Sequence, residues 1–201
     1  MNQAIDLRNI IGCLNCIGAF ETNPYFMYQS LSDKADLPLI NGLLQSIAQD
    51  NLKHSKLLKA ITDSITINGE KNKDCAKETG QVWGATDTFC KQLLLGARIT
   101  EPQLSQMAEK LETLETSFSK EYRMLIQKNT MEPLANEISG LYKVTPEKIK
   151  NIFTTMINDC DNHKEELQTI RELLGQIESK EPHSAPVVRY SNPDSWARSS
   201  S

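Results

Sequence analysis

Two histidines stand in the same local frame, Gln49-Asp50-Asn51-Leu52-Lys53-His54 and Asn158-Asp159-Cys160-Asp161-Asn162-His163, and this pairing constrains the chain more than any other feature. In each, an aspartate precedes the histidine by one helical turn. A leucine follows four residues later (Leu58, Leu167), and an isoleucine three beyond that (Ile61, Ile170). Spacings of three and four share one helix face, so both segments read as helices. Upstream, Phe20-Glu21-Thr22 matches Leu114-Glu115-Thr116, each followed by a tyrosine two turns on (Tyr28, Tyr122) and then a leucine (Leu31, Leu125). The chain therefore reads as a duplication of one unit, a helix carrying a glutamate followed by a helix carrying a histidine. Such a unit cannot bury its apolar side alone, whereas two of them close a four-helix bundle.

A chain of 201 residues is long enough to bury one core without a second domain. Aromatic residues make up only 6% while Leu, Ile, Lys, Glu and Gln are common, which fits an all-α protein. The net charge of -4 offers no basic face for nucleic acid. No stretch approaches the roughly 20 apolar residues of a membrane span, and Asp6 and Arg8 break the layout of a signal peptide. The expectation is a cytoplasmic protein that engages neither nucleic acid nor membrane. Cys13, Cys16, Cys75, Cys90 and Cys160 are odd in number and scattered, so reduced thiols are expected. Cys13 and Cys16 form a CxxC pair without the second pair of a zinc site, and the expectation there is two small residues on a helix face, with redox activity left open.

The first helix is expected over about residues 6–31, with two alternatives at Pro24. Either the proline kinks one helix by removing an amide donor, or Asn23 caps a new one. Asp36 is the expected cap of the second helix, which fades near Asn68-Gly69. Residues 69–80 then read as a polar loop and Thr86 to Ala97 as a short apolar segment, a connection long enough for the second and third long helices to lie parallel. Thr100-Glu101-Pro102-Gln103 is a capping box opening the third, to about Lys128. A small helix over Glu132 to Ser139 precedes the fourth, which opens at Thr145-Pro146-Glu147 and runs to about Glu178. Residues 1–180 thus form the bundle. Residues 181–201, with Pro182, Pro186 and Pro193, read as a flexible C-terminal tail whose Val187-Val188-Arg189-Tyr190 and Trp196 could dock on a neighbouring subunit or another protein.

On these residues the chain resembles the ferritin-like superfamily, in particular its rubrerythrin branch, over roughly residues 6–178. The resemblance implies an up-down four-helix bundle with a long crossover between helices 2 and 3, holding iron inside. In that family two helices each give a glutamate and the other two each give Glu-x-x-His. By resemblance Glu21 and Glu115 are the single glutamates, His54 and His163 the histidines, and Tyr28 and Tyr122 stand near the metal. The chain departs from the pattern where Asn51 and Cys160 replace the glutamate three before each histidine. Asp50 and Asp159, four before, and Cys160 are then the available additional ligands.

Two buried glutamates balance one divalent ion, so a reduced Glu2His2 centre with one metal is expected over a di-iron pair. Iron is the first expectation, with manganese or zinc also compatible. The implied chemistry is iron handling or an iron-dependent oxidoreductase reaction of peroxidase or ferroxidase type, in a protein that forms a homo-oligomer. The competing expectation is a non-catalytic ferritin-like scaffold with a decayed site, acting through oligomerisation or its tail. Lys53, Lys56, Lys164, Glu165 and Glu166 read as a solvated face.

Overall fold

The computed structural model describes residues 7–65, 75, 99–127, 130–140 and 142–178, and among them every regular element is helical. Helices α1 (Leu7–Lys34), α2 (Pro38–Asp63), α3 (Glu101–Gln127) and α5 (Pro146–Glu178) are long, and α4 (Met131–Ile138) is short. The expected loop at 69–80, the apolar segment at 86–97 and the tail at 181–201 lie outside the described residues, except for Cys75.

Local chemistry sets the helix starts. At α3 the Thr100 amide and hydroxyl both donate to Gln103 Oε1 at 3.0 Å, and the Gln103 amide donates back to Thr100 Oγ1 at 3.4 Å. This is the capping box that the sequence predicts. At α5 the Lys148 amide reaches Thr145 Oγ1 at 3.4 Å, just ahead of Pro146. The expected Asp36 cap of α2 does not form. Leu37 occupies the cap position in extended backbone, φ -110 and ψ 108, without a side-chain cap bond, and Pro38 opens the helix. A residue before proline is driven out of the helical region, so Pro38 sets this boundary. Helix α1 passes through the buried Pro24 as one element, so no new helix begins at Asn23.

Matched contacts give the helix directions. Between α1 and α2, Ser32 O accepts from Asn41 Nδ2 at 2.9 Å, and the hydroxyls of Thr22 and Ser55 meet at 3.0 Å. Partners rise along one helix as they fall along the other, so the two are antiparallel. Close approach is helped by Gly18, where a Cβ would lie 3.2 Å from Leu58 Cβ. Between α3 and α5, Arg123 Nη2 donates to Asp161 Oδ2 at 2.9 Å and Arg171 Nη1 to Glu112 Oε1 at 3.0 Å, again antiparallel. Helices α1 and α3 also run in opposite directions, since Tyr28 meets Glu115 while Tyr122 meets Glu21. It follows that α2 and α3 point the same way.

The core is drawn from all four long helices, including Leu14, Met27, Leu44, Leu58, Leu111, Phe118, Phe153 and Leu167. Phe20 and Phe118 join α1 to α3, with ring centroids 4.8 Å apart. Each such fully buried side chain stabilises the fold by roughly 1.5–3 kcal/mol. Met131, Leu134 and Ile138 bury the face of α4, which packs against α5.

One expectation about cysteines is corrected. Cys16 is joined to Cys75 by a disulfide, with Cα atoms 5.1 Å apart. Cys13, one turn away on α1, stays outside that bond at intermediate exposure, and Cys160 is a buried thiol. An odd cysteine count fixes only that one is left over, and pairing follows from which Cα atoms the fold brings within bonding reach. Among the described residues no helix is long and apolar enough to cross a membrane.

Candidate metal centre

Glu21 on α1 and Glu115 on α3 are carboxylates with no solvent exposure, an arrangement that is tolerated only with hydrogen-bond partners. Their partners come from across the molecule. Tyr28, two turns beyond Glu21, donates its hydroxyl to Glu115 Oε1 at 2.7 Å. Tyr122, two turns beyond Glu115, donates its hydroxyl to Glu21 Oε1. Each half of the sequence thus secures the glutamate of the other half.

The histidines obey the same exchange. His54 on α2 directs Nε2 at Asp159 Oδ2 of α5, 2.9 Å away, and His163 on α5 directs Nε2 at Asp50 Oδ2 of α2, at 3.4 Å. On the opposite edge of each ring, His54 Nδ1 lies 3.5 Å from Glu21 Oε1 and His163 Nδ1 lies 3.2 Å from Glu115 Oε2. The two rings are 6.3 Å apart between centroids, tilted by 31°. Exchanging Glu21 with Glu115, Tyr28 with Tyr122, Asp50 with Asp159 and His54 with His163 turns every one of these contacts into another. The duplication read from the sequence is therefore a pseudo-two-fold arrangement of side chains.

Electrostatics follow from burial and from these pairings. Burial raises Glu21, with His54 and Tyr122 pulling the other way. For His163, burial opposes the charged form, yet Asp50 and Glu115 overcome it and lift the imidazole to about 10. His54 also moves up: burial opposes its charge and is outweighed by Glu21 and then Asp159. Asp50 is held well below the usual carboxylate range, first by His163 and then by Lys53. Asp159 is lowered too, Lys53 and His54 outweighing its desolvation. Burial drives the Tyr28 and Tyr122 hydroxyls far up, and the facing glutamates add to it, so both tyrosines act as neutral donors. The Cys160 thiol is likewise raised, by burial and then by Glu115.

The structure thus gathers the four expected ligands, Glu21, His54, Glu115 and His163, with Tyr28 and Tyr122 in contact. Asp50 and Asp159 stand on the Nε2 side of the rings, where a carboxylate orients a histidine and raises its basicity while Nδ1 is left for a ligand. Cys160 lies beside Glu115. Asn51 spends its amide group on Ile47 O at 2.9 Å, and its buried Oδ1 has no hydrogen-bond partner.

Lys53 lies on the exposed face that the sequence predicts and also forms ion pairs there, whereas Glu166 is partly withdrawn from solvent. Lys53 Nζ contacts Asp50 Oδ1 at 2.5 Å and Asp159 Oδ2 at 2.8 Å, tying α2 to α5 over the two histidines. Glu166 is half-buried with Oε2 lacking a partner, and its burial raises it. The available sequence signal for Lys53 was the aspartate three residues before it together with a second, matching aspartate in the other repeat.

Two of the buried donor atoms are unsatisfied. Glu21 Oε2 and His54 Nδ1 are buried without hydrogen bonds, and they belong to one Glu–His pair. Such orphaned atoms are costly, about 1–3 kcal/mol each, and require an explanation. As they stand, no group of three or more His, Cys, Asp or Glu side chains among the described residues is set to hold an ion. Each carboxylate is engaged by a tyrosine or histidine, so ligation of an ion by these residues would require their side chains to rearrange. Comparison with known proteins adds no relative: no family model, no curated protein and no solved structure matches the chain.

Proposed function

We propose that the four long helices form a ferritin-like four-helix bundle, α2 and α3 being joined by a long crossover, and that it binds one divalent metal ion through Glu21, His54, Glu115 and His163. Iron is the ion this donor set suits first, with manganese or zinc compatible. The observation that carries the reading is the two-fold pair of glutamate–histidine contacts through Nδ1, each histidine backed by an aspartate on Nε2. A bound iron would supply redox chemistry with oxygen or peroxide. The chain's own contributions are definite in kind. Glu21 and Glu115 provide negative charge, Tyr28 and Tyr122 orient those carboxylates, Asp50 and Asp159 fix the imidazoles, and the surrounding core excludes water.

The test is elemental analysis of untagged protein before and after anaerobic loading with ferrous iron, beside a His54→Ala/His163→Ala variant. About one metal per chain, absent from the variant, is the expected result. Metal content unchanged by the double substitution would sink the assignment. A second reading is favoured by the tyrosine, histidine and lysine contacts that already engage the carboxylates: a metal-free scaffold that works through self-association or through residues 181–201. It predicts no metal under either condition and loss of partner binding when those residues are removed.

A further inference from the structure

Cys13, Cys16 and Cys75 are arranged around one shared sulfur. Cys16 is bonded to Cys75, with the two Cα atoms 5.1 Å apart, while Cys13 lies outside that bond and keeps its thiol. Cys13 and Cys16 both belong to α1, where a spacing of three residues puts side chains on one helix face. A rise of about 1.5 Å per residue on a cylinder of about 2.3 Å radius sets Cα atoms at that spacing about 5 Å apart. A disulfide needs Cα atoms roughly 4.4–6.8 Å apart. The backbone therefore offers Cys16 two partners at nearly the same distance, one on its own helix and one between α2 and α3 in the sequence. Exposure separates the three: Cys16 is buried, whereas Cys13 and Cys75 are each partly open to solvent.

We propose that Cys13, Cys16 and Cys75 form a thiol–disulfide exchange site in which Cys16 passes between the other two. This is independent of the metal-binding reading. The step is attack of the Cys13 thiolate on Cys16 Sγ. The Cys13–Cys16 bond forms, the Cys16–Cys75 bond breaks, and Cys75 leaves as a thiolate that takes up the proton Cys13 has lost. One disulfide replaces another, so no oxidant or reductant is consumed. Attacking and attacked sulfurs sit on neighbouring turns of one rigid element, which makes the step intramolecular and favours it over attack by a thiol from solution. External thiols and disulfides meet the site at its outer sulfurs, Cys13 and Cys75. The outcome is mechanical as well as chemical. Cys75 ties a position between α2 and α3 to α1 across 59 residues of sequence, and moving the bond to Cys13 unties it without changing the oxidation state of the protein.

The experiment uses untagged full-length protein purified without reductant and held at about pH 8, near the ordinary thiol value of about 8.5. It is pulse-labelled under native conditions with N-ethylmaleimide, quenched in acid, which removes the thiolate and stops exchange, and mapped by mass spectrometry of peptic peptides. Wild type is expected to carry label on Cys75 in chains that hold a Cys13–Cys16 disulfide, and that label should be lost in Cys13→Ser. No Cys75 label in wild type, or as much in Cys13→Ser, overturns the proposal. Cys75→Ser gives a second measurement, in which oxidised glutathione is the added oxidant. Cys13 and Cys16 are expected to join with the loss of two hydrogens and release of two molecules of glutathione. A glutathione adduct that persists on Cys13 beside a reduced Cys16 overturns the proposal, because it shows that Cys16 is beyond the reach of Cys13.

Discussion

Replacing Tyr122 with phenylalanine should cost more stability than the equivalent change at Tyr28, although the two tyrosines are related by the pseudo-two-fold. Both hydroxyls are buried and both donate to a buried glutamate. What differs is the remaining support. Without Tyr28, Glu115 still has His163 Nδ1 at 3.2 Å on its other oxygen. Without Tyr122, Glu21 keeps only the 3.5 Å approach of His54 Nδ1, and its Oε2 has no partner to begin with. A hydrogen bond to a charged group contributes about 1.5–3 kcal/mol, and an acceptor left unsatisfied brings the upper end of that range. The expected losses are about 3 kcal/mol for Tyr122→Phe and about 1.5 kcal/mol for Tyr28→Phe. For a domain of this size, about 2–4 °C per kcal/mol, these correspond to falls in Tm of roughly 6–12 °C and 3–6 °C. Urea and thermal unfolding in the presence of chelator, followed by circular dichroism, measure both. A double-mutant cycle of Tyr122→Phe with Glu21→Gln should return a coupling of the same order. Because burial already raises Glu21, proton uptake there limits the penalty, and the gap between the variants should narrow toward acid pH. Equal losses, or a larger loss at Tyr28, would refute the reasoning.

Further outcomes follow from other contacts. His163 is lifted to about 10 in the folded protein, so its contribution is complete below its ordinary value near 6.5 and lost as pH rises toward 10. Asp50 and Asp159 are lowered, and theirs is complete above about 4 and lost on acidification. Urea midpoints of metal-free protein should therefore be highest between about pH 4 and 6.5 and decline above; a rise between pH 7 and 9 would contradict this. Metal uptake should strengthen over the same rise in pH, because the histidines must release protons to ligate. The Cys16–Cys75 disulfide closes a separation of 59 residues, and Cys16→Ser or reductant should lower stability by about 4 kcal/mol; an unchanged urea midpoint would show that the bond contributes nothing. Gly18→Val forces a side chain against Leu58 and should cost about 1–3 kcal/mol. Gly42→Ala meets nothing within 4 Å and should instead stabilise α2 by about 0.5–1 kcal/mol on the same unfolding assay.

What the sequence made legible was local or repeated. The capping box at Thr100 and Gln103 depends on four consecutive residues, and the start at Thr145-Pro146 on even fewer, so both helix beginnings could be read directly. The approach of Glu21 to His54 and of Glu115 to His163 was readable because the same frame occurs twice in the sequence. Contacts between helices were harder. Lys53 is exposed as its sequence predicts, but only the approach of α5 reveals Asp159 as its second ion-pair partner. The roles of Asp50 and Asp159 depend on which edge of each imidazole faces inward, a torsion that spacing does not encode. Cys16 was grouped with Cys13 by proximity along the chain, whereas its bonded partner is Cys75. At Asp36 a favourable cap residue lost to Pro38, whose ring restricts Leu37 more strongly than one side-chain hydrogen bond rewards.

The crossed clamps, Tyr28 on Glu115 and Tyr122 on Glu21, make neither repeat self-sufficient. A half-length polypeptide would bury a glutamate with no hydroxyl of its own able to reach it, so its favourable course is to pair with a second copy of itself. In such a pair each subunit would lend its tyrosine to the other across an isologous interface of cyclic two-fold symmetry. The present chain has the geometry of that dimer fused into one polypeptide. Fusion frees the two halves to diverge, and Lys53 standing where the other frame has Asn162 is the kind of difference that an identical pair could never hold.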